Sequence, residues 1–136
     1  MKAVLDTNAI VSGLLTARRT CSQILDLLVD GLFQLCANDR ILDEYEQVLL
    51  RPELGIAPAD AEAFLELVRS VVQPASAVPM AVELPDETDR PFLEVAAAAD
   101  ALLVTGNPRH FPKSARRGVN VVSPGEYLEL LRRAMG

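Results

Sequence analysis

The sequence predicts an α/β fold, a single domain over residues 1–136 with a central parallel sheet of four to five strands and helices on both faces. Three observations predict it. Strand and helix signals alternate from end to end. The strand-like runs are short and almost wholly apolar, as strands covered on both faces are. A chain of 136 residues suffices for one domain with one core, and no repeat, linker or low-complexity stretch divides it.

Each element follows from local signals. Ala3-Val4-Leu5 is a β-type run ending at Asp6. Ser22 to Val29 carries Ile24, Leu25, Leu27 and Leu28 at helical spacing, with Gly31 as the C-cap. Phe33 to Ala37 is a second strand. Asn38 or Asp39 caps a helix carrying Ile41, Leu42, Tyr45, Val48 and Leu49, which Pro52 closes. Pro58 to Val72 is the next helix, with proline near its start. Ala75 to Leu84 is extended, punctuated by Pro74, Pro79 and Pro85. A helix runs from about Asp89 to Ala99. Ala101 to Val104 is a strand ending in Thr105-Gly106-Asn107, and Val119 to Val122 is the last strand. Ser123 caps the C-terminal helix, which Pro124 opens.

Composition narrows the classes. Half of the residues are apolar and 24% are charged, a globular balance. No apolar run reaches the roughly 18 residues of a membrane span. The run after Met1 and Lys2 is too short for a signal peptide. Cys21 and Cys36 match no metal spacing and read as reduced thiols, so a cytoplasmic location is expected. The formal charge of −6 disfavours broad nucleic-acid binding. Local basic patches exist nonetheless: Arg18 with Arg19, and Arg109, His110, Lys113, Arg116 and Arg117.

Open parallel sheets bind ligands beyond the C-terminal ends of their strands. Asp6 and Asn8 follow the first strand, Asn38 and Asp39 the second, and Thr105 and Asn107 the fourth. Asp86, Glu87 and Asp89 sit at a helix start on the same rim. At about 100° per residue, Asp43 faces away from the buried stripe of its helix. Glu44 falls at the stripe's flank near the helix start, and Glu46 on the other flank further along. Asp89 projects onto the inner side of its helix, where an N-cap is its ordinary alternative. An Asx-turn is the ordinary alternative for Asp6. Clustered carboxylates repel one another and resist desolvation. A hard divalent cation such as Mg²⁺ resolves that conflict, and it can bind a phosphate oxygen and activate water.

These segments resemble the PIN domain family. Asp6-Thr7-Asn8, with Ser12 nearby, looks like its opening motif. Leu42-Asp43-Glu44-Tyr45 resembles the second, Asp86-Glu87-Thr88-Asp89-Arg90-Pro91-Phe92-Leu93 the third, and Val104-Thr105-Gly106-Asn107 the fourth. The sequence looks closest to the branch of toxin components whose fourth motif reads Asn107-Pro108-Arg109-His110-Phe111. The resemblance implies a metal-dependent endoribonuclease, the VapC-like toxin of a toxin–antitoxin pair. It implies Mg²⁺ or Mn²⁺, an RNA substrate, a homodimer and a protein antitoxin. Asp6, Glu44 and Asp89 would ligate the metal, with Asp86 competing with Asp89. Asn8, Ser12 and Thr105 would support them, and Asn107 would complete the catalytic set. Asn107 departs from the family, where many members carry Asp, and an uncharged amide weakens any second metal site.

The expected reaction is phosphodiester hydrolysis by metal-activated water, with Arg109, Lys113, Arg116 and Arg117 guiding the RNA backbone. His110 reads as a locally hydrogen-bonded loop residue, or else as a phosphate contact. Two alternatives compete. One is a PIN-like protein that binds RNA or a partner without catalysis. The other is a phosphatase with Asp6 as aspartyl nucleophile, although such chemistry wants an acid where Asn8 stands.

Overall fold

Five parallel strands in the order β3-β2-β1-β4-β5 form the sheet of the computed structural model, which describes residues 1–136. The strands are β1 (Lys2–Leu5), β2 (Gln34–Ala37), β3 (Gln73–Pro74), β4 (Leu102–Val104) and β5 (Val121–Val122). Six helices cover them: α1 (Thr7–Leu15), α2 (Thr20–Val29), α3 (Asp39–Leu49), α4 (Pro58–Val71), α5 (Arg90–Ala99) and α6 (Pro124–Met135). Helices α1, α2 and α6 pack as one group, and α3, α4 and α5 as another. None is long and apolar enough to cross a membrane.

The central strand explains the site's position. Ala3, Val4 and Leu5 of β1 are essentially inaccessible, because β2 pairs on one side and β4 on the other. The chain leaves β1 toward β2 but leaves β4 toward β5, on the opposite side. The C-terminal ends of β1 and β4 therefore flank the topological switch point, where a crevice opens in sheets of this kind. Asp6 and Thr105 are the first residues past those ends. Only four polar or charged residues are buried, Asp6, Thr7, Glu94 and Thr105, and three of them lie at this point.

Most predicted elements are present, within one or two residues at several ends. One helix was not expected: residues after Asp6 form α1 directly. Asp6 is itself its N-cap, so the residue read as a turn or site carboxylate also starts a helix. Gly13 lets α1 approach α2 closely, since a Cβ there would lie 2.6 Å from Leu25 Cδ1 and 3.0 Å from the Cys21 carbonyl oxygen. The expected extended segment from Ala75 to Leu84 is not a strand. Pairing stops after β3, beyond a single contact from Ala75 N–H to the Ala37 carbonyl. Prolines 74 and 79 lack the N–H groups a ladder needs. Side chains of α5 hold the segment instead. Arg90 donates to the carbonyls of Met80 and Val82, each at 2.6 Å, and Glu94 accepts the Met80 N–H at 2.8 Å. Both cysteines are free thiols.

Below the site, the fully buried Tyr45 of α3 donates its hydroxyl to the Leu5 carbonyl at 2.5 Å. That bond couples the helix carrying Glu44 to the strand end carrying Asp6. Tyr45→Phe keeps the ring and removes the donor. It is expected to cost about 1–2 kcal/mol in urea unfolding. An unchanged midpoint would show that the coupling contributes nothing.

Candidate active site

Asp6 is 6% exposed, and a protein donor meets each of its carboxylate oxygens. Oδ1 accepts the Asn8 backbone N–H at 3.0 Å, and Oδ2 accepts the Thr105 hydroxyl at 2.7 Å. The Thr105 oxygen in turn accepts the Asn107 N–H at 3.0 Å. The first and fourth motifs thus close on each other across the switch point. Asn8 holds Asp6 through its backbone.

Glu44 lies half-buried on the flank of α3, whereas Asp43 faces solvent. Glu46 is also exposed and pairs with Arg69 at 3.0 Å. The Thr7 hydroxyl donates to Glu44 Oε2. Burial raises the Glu44 pKa above its ordinary value, and the nearby charges of Asp6 and Asp86 add to the rise, against the Thr7 hydrogen bond and Arg51. Thr7 was not singled out in the sequence. Its position beside Asp6 at a helix start was the available signal.

Asp86 and Asp89 have different roles. Asp86 is exposed and caps the short 3₁₀ turn Glu87–Asp89, accepting the backbone N–H of Thr88 at 2.9 Å and its hydroxyl at 2.7 Å. Those bonds lower its pKa. Asp89 makes no capping hydrogen bond, so its side chain is not the N-cap of α5. Burial pushes its pKa up to about 6; His110 opposes the rise, and Asp6, Asp86 and Glu44 reinforce it. Asp89 Oδ2 is buried and without a hydrogen-bond partner. His110 Nδ1 lies 3.0 Å away but off the hydrogen-bonding line.

The fourth segment is tied to histidine. Asn107 Nδ2 lies 2.8 Å from His110 Nε2. A cavity of about 250 Å³ beside Asp6 is lined by Asn8, Ser12, Cys21 and Asn107 among others. The four basic residues do not share one face. Arg109 and Lys113 are exposed on the loop after Asn107. Arg116 is half-buried, and its Nε donates to the Phe111 carbonyl at 2.7 Å. Arg117 lines a separate cavity with Met1, Lys2 and Asp100, at the N-terminal end of the strands. The sheet therefore separates Arg117 from Asp6, and it drops out of the expected RNA path.

A divalent cation suits the donor set. The carboxylates of Asp6, Glu44 and Asp89 feel one another's charge against two nearby basic groups, His110 beside Asp89 and Arg51 near Glu44, and the buried Asp89 Oδ2 has no hydrogen-bond partner. No three His, Cys, Asp or Glu side chains already stand as a ligand cluster. Thr7 and Thr105 each donate to one acid, Glu44 and Asp6 respectively. The aspartyl-nucleophile alternative gains nothing here, because both Asp6 oxygens accept hydrogen bonds and position 8 supplies a backbone N–H rather than an acid.

Fold and site together define an α/β domain with an acidic centre at the switch point of a parallel sheet. The chain belongs to the PIN domain family, whose sequence model matches residues 2–109. Three solved structures are similar in fold, each over 90% of this chain. VapBC2 from Rickettsia felis, bound to a DNA fragment from its promoter, has 16% identity, a TM-score of 0.61 and 98% of its own chain covered. FitAcB from Neisseria gonorrhoeae has 17% identity, a TM-score of 0.56 and 98% covered. A domain of a functionally unknown protein from Methanocaldococcus jannaschii has 15% identity, a TM-score of 0.55 and 89% covered. No curated protein matches the chain significantly.

A carboxyl with a raised folded-state pKa binds its proton more tightly folded than unfolded. It therefore lowers stability as pH rises from its ordinary 3.8 to about 6. Asp89→Asn should stabilise the metal-free protein by about 1 kcal/mol near pH 7, and this advantage should vanish below about pH 4. Thermal melts in chelator at both pH values check it. A variant destabilised at neutral pH would contradict the electrostatic account.

Proposed function

We propose that this PIN domain is a Mg²⁺- or Mn²⁺-dependent endoribonuclease that hydrolyses RNA phosphodiester bonds, and that it is the toxin of a toxin–antitoxin pair. The observation that carries the nuclease reading is that Asp6 and Glu44 stand near enough to the buried Asp89 carboxyl at the switch-point rim for their charges to raise its pKa, while Asp89 Oδ2 lacks a hydrogen-bond partner. The toxin role rests on the VapC-like motifs, and fold likeness to VapBC2 and FitAcB supports it. A homodimer and a protein antitoxin belong to the same proposal.

Asp6, Glu44 and Asp89 would hold the cation. When bound, it supplies Lewis-acid stabilisation of phosphate charge and a more acidic water. Thr105 and the Asn8 backbone fix the direction of the Asp6 carboxylate before any ligand arrives. Thr7 holds Glu44 at the rim of the site. Asn8 and Ser12 line the cavity beside Asp6, where a polar group of the substrate can be received. Arg109 and Lys113, exposed beyond Asn107, are the cations placed to meet a phosphate backbone. Base-specific reading has little support, since only two Tyr, four Phe and no Trp are present and the largest rings are buried.

The test is incubation of purified protein with diverse RNAs and Mn²⁺, with product sizing. Cleavage should require the metal and be largely lost in Asp6→Asn, which removes a proposed metal ligand. RNA retention without cleavage by the wild type would favour the binding-only reading. Cleavage that survives Asp6→Asn would place the chemistry elsewhere.

A further inference from the structure

We propose that the Asn107–His110 pair is a positioning device for Asp89, so that the fourth motif acts on the acidic centre through an imidazole rather than as a ligand itself. The proposal rests on the metal-nuclease reading above. Its basis is a continuous chain of contacts from Asp6 to Asp89. Asp6 Oδ2 accepts from Thr105 at 2.7 Å, and Thr105 accepts from the Asn107 backbone at 3.0 Å. The Asn107 amide meets His110 Nε2 at 2.8 Å, and His110 Nδ1 stands 3.0 Å from Asp89 Oδ2. Asp6 and Asp89 are thus connected through Thr105, Asn107 and His110, with Asn107 in the middle held by its backbone and offering its side chain to the histidine.

The turn geometry delivers this contact. The His110 N–H donates to the Asn107 carbonyl at 3.1 Å, folding the histidine back over the asparagine. Asn107 precedes that one-turn helix without capping it, so its amide is not consumed locally. The His110 side chain is 34% exposed and Asp89 14%, so the contact is sheltered at the carboxylate end.

The chemistry depends on the amide. With the Asn107 amide nitrogen facing the ring, as placed here, Nε2 presents its lone pair and the proton of a neutral ring sits on Nδ1, facing Asp89. A carboxylate at position 107 only accepts, and it would call the proton to Nε2 instead. The departure from Asp at this position is thereby a working choice. His110 Nδ1 stands 3.0 Å from Asp89 Oδ2, so the ring limits where that carboxylate can turn by close electrostatic contact rather than by a hydrogen bond. Groups that orient metal ligands from behind contribute to binding, and their loss weakens it about 10- to 100-fold.

His110 is the sole histidine, so long-range ¹⁵N–¹H spectra of the full chain read it without ambiguity. At a pH where the ring is neutral, the wild type should show the Nδ1–H tautomer. Asn107→Ala should shift it toward Nε2–H. Nε2–H in the wild type, or no change in the variant, would overturn the proposal. Mn²⁺ calorimetry supplies the second readout. Asn107→Ala and His110→Ala should each weaken binding about tenfold or more, while Asp6→Asn should abolish it. Undiminished binding in His110→Ala defeats the positioning role alone. Absence of Mn²⁺ binding by the wild type defeats the nuclease reading and the proposal with it.

Discussion

The rest of the structure depends on one constraint: the carboxylate of Asp6 is delivered into a buried crevice and must be satisfied there. Strand β1, buried from Ala3 to its end at Leu5, has β2 and β4 walling its exit on both sides. Two donors answer the charge. One is the Asn8 N–H, which simultaneously starts α1, and the other is the Thr105 hydroxyl at the end of β4. Helix start, strand end and site are therefore one local solution. Tyr45 extends it to α3 by holding the Leu5 carbonyl, so Glu44 is placed relative to Asp6 through the core rather than through surface contacts.

Magnitudes explain why this solution is incomplete in the metal-free chain. A hydrogen bond to a charged group contributes about 1.5–3 kcal/mol. Removing a single carboxylate from water costs several kcal/mol, on the order of two such bonds. Asp6 has two donors, but Glu44 has one hydroxyl and Asp89 has an off-line imidazole. The deficit appears as the raised pKa values of Glu44 and Asp89. Hydrogen bonds orient these acids without neutralising them. In the proposed reading a divalent cation would supply the neutralisation that these hydrogen bonds leave incomplete.

Periodicity and turn chemistry made the alternation of strands and helices legible in the sequence, because they are local. Glu44 was legible because helical phase together with its place near the helix start separates it from Asp43 and Glu46, whereas Asp89 lies in the turn before α5 rather than within that helix. Helix α1 was not, because its capping signal was Asp6 itself and its nine residues include a glycine whose value lies in contact with α2. The segment after β3 read as extended, but only the three-dimensional placement of Arg90 and Glu94 shows what holds it. Arg117 was placed by sequence proximity to Arg109, although the chain crosses to the far end of the sheet in between. The link between Asn107 and Asp89 through His110 joins separate segments, and no spacing rule encodes it.

The central claim is that Asp6, Glu44 and Asp89 form one cation site. Crystals grown with Mn²⁺ and measured at the manganese absorption edge test it most directly. The account predicts an anomalous peak within about 2.1 Å of an Asp6 oxygen, a distance typical of small hard cations. The formerly unpaired Asp89 Oδ2 should be a further ligand, and Glu44 should have turned from Thr7 toward the ion. A peak remote from these carboxylates, or none at saturating Mn²⁺, would contradict the claim.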